Sequence, residues 1–243
     1  MAEAPRPPDS GLQPLDDGKF ERVLVIVAHP DDAEYGTSAA VAEWTARGIN
    51  VGYVLATGGE AGMQRPPAEA RQLRAAEQRT ACDIVGVEYL RILDFPDGLV
   101  EYGIALRKAL AYEIRAFQPD AIVTGSGELH VAWGLDHPDH RAVGLAAIDA
   151  SRDAGNRWLF TDQFDDGVQP WQTPTVLLTG ATPTHFVEIS ESSVEKSVAS
   201  LAAHKAYLAD LPDHPKPELF IPPMLAATGE SAGVPYAMGF AQH

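Results

Sequence analysis

The chain has 243 residues, of which 45% are hydrophobic and 21% charged, a composition typical of a globular protein with a substantial core. Its 18 Lys and Arg residues are outnumbered by 34 Asp and Glu residues, so the formal net charge is −16. This acidic balance argues against nucleic acid or an anionic membrane surface as a partner, because both bind clustered basic side chains.

The N-terminal segment has no pattern of a folded element. Residues 1–20 are rich in proline, glycine and acidic side chains, and they lack the basic and apolar regions of a secretory signal. We expect a flexible lead-in, followed by a single domain over residues 21–243. Cys82 is the only cysteine, so an internal disulfide is excluded and a cytoplasmic location is favoured. No apolar run approaches the roughly 18 residues of a membrane span.

Strands alternate with helices along most of the chain. Apolar runs predict buried strands at 23–28, 51–56, 89–93, 121–124, 176–179 and 186–189. Amphipathic patterns predict helices at 37–47, 67–85, 103–117, 138–154 and 190–208. The last 33 residues include six prolines and are expected to be irregular. This order predicts a Rossmann-like α/β fold, a three-layer sandwich around a mostly parallel central sheet with an irregular C-terminal segment.

Polar segments follow several predicted strands. They are H-P-D-D (29–32), T-G-G-E-A-G (57–62), D-F-P-D-G (94–98) and D-H-P-D-H (136–140). Ligands of parallel sheets bind at the carboxyl ends of the strands, so the two His-Pro-Asp segments are expected to meet there. Together they offer three histidines and four carboxylates. Imidazole and carboxylate groups bind first-row metals, and zinc with two His, one carboxylate and an open position is a hydrolytic arrangement.

The chemistry allows distinct roles within each segment. Asp31 and Asp32 are adjacent and point in different directions, so one can bind metal while the other takes a proton from water. In the second segment, one of His137 and His140 can complete the metal site and the other can stabilise an oxyanion. Asp139 can orient a neighbouring side chain. The residues alone do not decide which aspartate and which histidine has which role.

A family resemblance extends over residues 22–153. H-P-D-D after a strand, T-G-G-E-A-G after the next, R-A-A-E-Q-R-T-A ahead of V-G-V, and H-P-D-H opening a later helix resemble the LmbE/PIG-L family of zinc-dependent N-acetylglucosamine deacetylases. The chain differs from the common family pattern at Thr37-Ser38-Ala39, where Gly-Gly-Thr is frequent, and at Ala33. The resemblance implies hydrolysis of an N-acetyl group from a small-molecule amino sugar, which releases acetate and a free amine.

The resemblance also implies the roles that the chemistry left open. Asp31 would be the general base, His137 would stabilise the tetrahedral intermediate, and Asp139 would orient His137. The ligands of Zn²⁺, or of another divalent first-row metal, would be His29, Asp32 and His140.

Six further residues are candidates for contact with the substrate, because they lie close in sequence to these motifs or in a C-terminal segment that resembles the family. They are Glu60, Arg71, Arg74, Asp97, Trp133 and His204. The two arginines have an alternative interpretation as solvated helix charges, and Asp97 has one as a turn-forming residue.

Two other functions remain open. The first is a zinc amidase or deacylase that acts on a thiol conjugate or a glycosylated natural product. The second is a non-catalytic Rossmann-type binding module in which both motifs are structural. The sequence also leaves open whether the chain forms a homo-oligomer.

Overall fold

The computed structural model describes residues 11–132 and 134–243. Within these residues the strands are β1 (Gln13–Pro14), β2 (Arg22–Val27), β3 (Asn50–Leu55), β4 (Tyr89–Ile92), β5 (Ala121–Gly125), β6 (His130–Val131), β7 (Gly134–Leu135), β8 (Thr175–Thr179), β9 (His185–Glu188) and β10 (Ala237–Gln242). The α-helices are α1 (Asp32–Gly36), α2 (Ser38–Ala46), α3 (Pro67–Val85), α4 (Ile104–Phe117), α5 (Pro138–Gly155), α6 (Glu191–Ala202), α7 (Lys205–Ala209) and α8 (Pro217–Ala232).

Eight of these strands form one sheet in the order β1-β9-β10-β8-β5-β2-β3-β4. β10 is antiparallel to both of its neighbours, and the other neighbouring pairs are parallel. The short strands β6 and β7 pair only with each other, in the loop that precedes α5. The prediction of a mostly parallel central sheet is confirmed.

The central strand β2 is buried on both faces. Val23 and Val25 pack with α2, α3, α6 and α8 in one apolar cluster, and Leu24 and Ile26 pack with α4 and α5 in another. Strands covered on both sides by helices are continuous apolar runs, which is why the sequence predicted this strand clearly. The three layers are therefore helices, sheet and helices, as expected.

The C-terminal segment is regular, which corrects our expectation for the last 33 residues. α8 contains Pro222 and Pro223, and β10 completes the sheet. Ile221 and Leu225 are buried one helical turn apart and pack into the core, which stabilises the helix. Neither proline can donate a backbone hydrogen bond, but the carbonyls four residues earlier belong to exposed residues that water can reach.

The described part of the N-terminal lead-in is also anchored, contrary to expectation. β1 pairs with β9. The carboxylate of Asp17 accepts hydrogen bonds from the indole N–H of Trp44 and from the guanidinium of Arg47. Residues 1–10 of the predicted lead-in lie outside the described residues. None of the helices in the described part of the chain is long and apolar enough to cross a membrane.

Helix α5 packs closely against the end of β5 at Gly144. A Cβ atom at this position would lie 2.5 Å from the carbonyl oxygen of Gly125 and 3.0 Å from the backbone nitrogen of Gly127. We expect Gly144→Ala to lower the free energy of unfolding by about 1–3 kcal/mol through overpacking, although alanine is the better helix former. Urea denaturation measures this change. Gly18→Ala is the control, because a Cβ there meets no atom within 4 Å, and an unchanged stability in Gly144→Ala would contradict the prediction.

Candidate active site

Three imidazoles meet where the central strand ends. His29 lies in the turn after β2, and His137 and His140 lie at the start of α5. The ring centre of His29 is 5.1 Å from that of His137 and 5.2 Å from that of His140, and the latter two are 5.3 Å apart. The two His-Pro-Asp segments therefore come together at the carboxyl edge of the sheet, as predicted.

The carboxylate of Asp32 connects two of these rings. Its Oδ1 is 3.1 Å from Nε2 of His140. Its Oδ2 is 3.5 Å from Nδ1 of His29 and accepts hydrogen bonds from the backbone N–H groups of Ala28 and His29. The backbone of the turn thus fixes Asp32 between the two imidazoles, with one nitrogen of each ring facing it.

The other ring nitrogen of His29 faces two further carboxylates. Its Nε2 is 3.0 Å from Oδ1 of Asp97 and 3.1 Å from Oδ2 of Asp139. Asp139 is fully buried and also accepts hydrogen bonds from the backbone N–H groups of Gly98 and Val100. A carboxylate on the far nitrogen of a ligating imidazole fixes the orientation of the ring and raises its basicity.

These contacts correct two expectations. We expected Asp139 to orient His137, but its carboxylate contacts His29, and only its backbone N–H contacts His137. The side chain of Asp97 is only 6% exposed and also lies behind His29, so it is not available to bind a sugar at the rim. In both cases the loop from 97 to 100 folds over the first motif, which local sequence patterns do not reveal.

His137 is the N-cap of α5. Its Nδ1 accepts a hydrogen bond from the backbone N–H of Asp139, at a distance of 3.2 Å. Partial burial and the neighbouring His29 and His140 lower the pKa of His137, which favours the neutral ring. A neutral imidazole that accepts at Nδ1 carries its hydrogen at Nε2. The ring is exposed, so this N–H donor can face a bound molecule.

His140 has a carboxylate partner within its own motif. Its Nδ1 is 2.9 Å from Oδ1 of Asp136, an oxygen that also accepts from the backbone N–H of His137. Asp136 and His140 are four residues apart at a helix start, a spacing that brings side chains together. We did not assign Asp136 a role from the sequence, although this spacing was a usable signal.

Negative charge dominates the cluster. Four carboxylates face His29 and His140: Asp32, Asp97, Asp136 and Asp139. Burial acts to lower the pKa of His29, but Asp32, Asp139 and Asp97 outweigh it and raise that pKa far above its ordinary value. Burial likewise opposes the carboxylates at His140, whose pKa rises to about 9. Burial would raise the pKa of Asp32, but His140 and His29 hold it well below its usual range.

This donor set fits a divalent first-row metal ion. Imidazole nitrogen and carboxylate oxygen are its usual ligands, and a cation would balance the excess of carboxylates. The predicted ligands are joined through Asp32, which contacts both His29 and His140. Two other groups of described residues bring their ligand atoms within 4.8 Å of one another, namely His29, His137 and His140, and His29, Asp97 and Asp139. All three groups share His29.

Asp31 makes different contacts from its neighbour Asp32. Its Oδ1 is 3.0 Å from Nη2 of Arg74, and its side chain is 5% exposed. Burial, opposed by Arg74 and supported by Asp32, raises the pKa of Asp31 to about 7. A carboxyl group with a pKa near neutrality can both accept and return a proton.

Arg74 forms an ion pair with Asp31 and is enclosed by protein groups. The side chain of Arg74 is 3% exposed, and its guanidinium donates to the carbonyl oxygens of Gly59 and Pro30. Gly59 has a φ of 65°, and a Cβ there would lie 2.2 Å from Nη1 of Arg74, so only glycine lets the loop pass over the guanidinium. The ring of Tyr207 covers the guanidinium at 3.9 Å. The predicted contact between Arg74 and a sugar is therefore wrong.

The remaining substrate candidates have different outcomes. His204 is fully buried between α6 and α7, where it breaks the predicted helix 190–208, so it cannot contact a substrate. Glu60 and Arg71 are partly exposed and lie 3.2 Å apart, and their contact with a sugar stays a prediction. Trp133 lies outside the described residues.

Residues 24–151, more than half of the chain, match the family described as PIG-L: GlcNAc-PI de-N-acetylase. The chain belongs to this family. All the histidines and aspartates of the two motifs lie within the matched residues. The predicted resemblance is confirmed.

Two named relatives and a solved structure agree with this assignment. The chain is 29% identical to a diacetylchitobiose deacetylase of Thermococcus kodakarensis, over 80% of this chain and 72% of that enzyme. It is 29% identical to a 1D-myo-inositol 2-acetamido-2-deoxy-alpha-D-glucopyranoside deacetylase of Kineococcus radiotolerans, over 88% of this chain but only 64% of that enzyme. An N,N'-diacetylchitobiose deacetylase of Pyrococcus horikoshii superposes with a TM-score of 0.83 and 25% identity, covering 93% of this chain and 85% of that one.

Proposed function

We propose that the chain is a zinc-dependent hydrolase that removes the N-acetyl group from an N-acetylglucosamine-type amino sugar or glycoconjugate. The products would be acetate and a free amine. The observation that carries this proposal is the juxtaposition of Asp31, paired with Arg74, and a cluster of three imidazoles, two of which contact Asp32. The relatives from Thermococcus and Kineococcus, which carry deacetylase names, support this class of amide substrate.

His29, Asp32 and His140 are the proposed zinc ligands. When bound, zinc supplies Lewis-acid polarisation of the acetamide carbonyl and lowers the pKa of water at the site. Asp139 and Asp97 keep His29 oriented through its Nε2, and Asp136 keeps His140 oriented through its Nδ1. The choice of zinc over another divalent first-row metal is part of the proposal.

The other residues move protons and stabilise charge. Asp31 takes a proton from a water molecule while the oxygen of that water attacks the carbonyl carbon of the acetamide. His137 donates a hydrogen bond from its Nε2–H to the carbonyl oxygen of the acetamide, on which negative charge develops. The C–N bond then breaks, and Asp31 returns the proton to the departing nitrogen. Arg74 holds the carboxylate of Asp31 in one orientation throughout.

A screen of N-acetylglucosaminides with different aglycones tests the proposed function. Protein loaded with Zn²⁺ is expected to release a primary amine and acetate in equal amounts, because hydrolysis of each acetamide gives one of each. Both products are measured, with metal-stripped protein as the control. We expect removal of the metal to abolish turnover and restoration of Zn²⁺ to recover it.

The same screen separates the alternatives. Cleavage of thiol-conjugate amides, with N-acetylglucosaminides left intact, would favour the alternative zinc amidase. A protein that binds the sugars without turning over any amide, with or without metal, would favour the non-catalytic binding module. The single domain over 21–243, the cytoplasmic location and a homo-oligomer stay predictions.

A further inference from the structure

A row of buried polar side chains lies behind Asp31. The backbone N–H of Asp31 donates to Oε1 of Gln78 at 2.9 Å, and Nε2 of Gln78 donates to Oε1 of Glu34 at 3.0 Å. These three residues are between 1% and 4% exposed. Oε2 of Glu34 lies 3.8 Å from Nε2 of His204, which is fully buried. The row therefore links α3 to the turn that carries both motif aspartates.

The conformation of Asp31 needs such support. Its φ is 86° and its ψ is −26°, in a region that residues other than glycine seldom adopt. The side chain of Asp31 makes no cap hydrogen bond to α1. Its backbone N–H donates to Oε1 of Gln78. Arg74 holds the carboxylate of the same residue. Gln78 thus fixes the backbone of Asp31, and Arg74 fixes its side chain.

Glu34 determines which way the amide of Gln78 faces. The NH₂ group of an amide can only donate, so it turns toward the carboxylate and leaves the carbonyl oxygen for Asp31. If the amide were flipped, its NH₂ group would face the backbone N–H of Asp31, and its carbonyl oxygen would face the carboxylate of Glu34. Both contacts would be repulsive. The polar row therefore has one arrangement that satisfies both hydrogen bonds.

The far end of the row is incompletely hydrogen-bonded. Within the described part of the chain, no hydrogen-bond partner reaches Oε2 of Glu34 or either ring nitrogen of His204. Buried polar atoms without partners destabilise a fold, and apolar side chains of similar volume would fill the space at a lower free-energy cost. Stability alone thus does not account for the row, whereas its contact with Asp31 does.

We propose that Gln78, oriented by Glu34, is the positioning residue of the general base. It holds the peptide of Asp31 so that this carboxylate stays on the Arg74 side while that of Asp32 stays between the two imidazoles. The inference rests on the proposed role of Asp31 in deacetylation. It assigns to helix α3 a part in catalysis without direct contact to the substrate.

Gln78→Leu removes the hydrogen bonds of Gln78 with Asp31 and Glu34, and its weaker one to Sγ of Cys82, at nearly constant volume. We expect kcat to fall by about 10–100-fold, because small displacements of a catalytic group have effects of this size, with KM changed less than about twofold. Zinc content and the thermal unfolding midpoint are measured on the same samples. Gln72→Leu is the matched control, since Gln72 lies on the exposed face of the same helix. Its kinetic constants should equal those of the unmodified protein.

Exchanging the amide of Gln78 and the carboxylate of Glu34 tests whether the lost kcat can be restored. Gln78→Glu alone places two carboxyl groups together and is expected to lower kcat at least as much as Gln78→Leu. The double variant Gln78→Glu/Glu34→Gln keeps an acceptor opposite the N–H of Asp31 and a donor–acceptor pair between positions 34 and 78. It should recover most of the lost kcat, which a role in packing alone does not predict. This pair also serves if Gln78→Leu does not fold.

Two further measurements separate this inference from the proposed function. In an Asp31→Asn background, Gln78→Leu should have almost no additional effect on kcat, because both changes act on one group. Exchange of the Asp31 amide hydrogen, followed by NMR, should be at least about tenfold faster in Gln78→Leu than in the unmodified protein. Normal turnover in Gln78→Leu, or an unchanged amide exchange rate, would overturn the inference. An unmodified protein that deacetylates nothing would instead overturn the proposed function, while the exchange measurement still tests Gln78.

Discussion

Replacing Asp31 with asparagine is expected to lower kcat for deacetylation by about 10²–10⁴-fold, the usual contribution of general acid–base catalysis. Asparagine has nearly the same shape and can still accept a hydrogen bond from Arg74, but it cannot take a proton from water. The metal content should not change, because Asp31 is paired with Arg74, and Asp32 is the aspartate of this pair whose carboxylate contacts the imidazoles. Steady-state kinetics and metal analysis of the same preparation measure both quantities.

Asp165→Asn is the control for this experiment. Asp165 is an exposed residue outside the site, so its replacement removes one negative charge without touching the histidine cluster. An Asp31→Asn variant with the turnover of the unmodified protein would refute the general-base role. A variant that lost both turnover and metal would show that Asp31 is a ligand, contrary to the division of roles between the two aspartates.

The sequence predicted most of the fold because the sheet is covered on both sides. β2 and β3 are continuous apolar runs, and their bounds differ from the predicted ones by one residue. The C-terminal elements were missed for a physical reason. Proline in the interior of a helix lowers helix propensity, but the buried stripe of Ile221 and Leu225 in α8 outweighs Pro222 and Pro223. Such tertiary stabilisation is invisible to local propensity.

The part of the candidate site that the two His-Pro-Asp segments form was predictable from the sequence. The two His-Pro-Asp segments met because parallel strands place their carboxyl ends at one edge. The contacts of Asp139 with His29 and with the loop after β4 depend on how distant loops fold over one another, so sequence spacing could not give them. Gln78 did leave a signal. It follows Arg74 by one helical turn and precedes Cys82 by another, which places polar groups on the buried stripe of α3.

The metal ligands can be distinguished by three substitutions. We expect Asp32→Asn and His140→Ala to lower zinc affinity by well over the 10–100-fold that loss of a supporting carboxylate usually causes, because each removes or weakens a direct ligand. His137→Ala should keep the metal and lower kcat by about 10²–10³-fold, the usual effect of losing one oxyanion donor. Competition with a chelator measures the affinity, and kinetics at saturating Zn²⁺ measures kcat.

The same three variants distinguish between overlapping ligand sets. His29, Asp32 and His140 are joined through the carboxylate of Asp32, whereas His29, His137 and His140 bring three imidazoles within reach of one ion. If His137→Ala loses the metal while Asp32→Asn keeps it, the ion is held by the three imidazoles. Asp32 would then be a supporting residue, and the oxyanion donor would have to be sought elsewhere. Asp136→Asn is the graded control, because it changes the carboxylate behind His140 and leaves all the proposed ligands in place. Its zinc affinity should fall by about 10–100-fold.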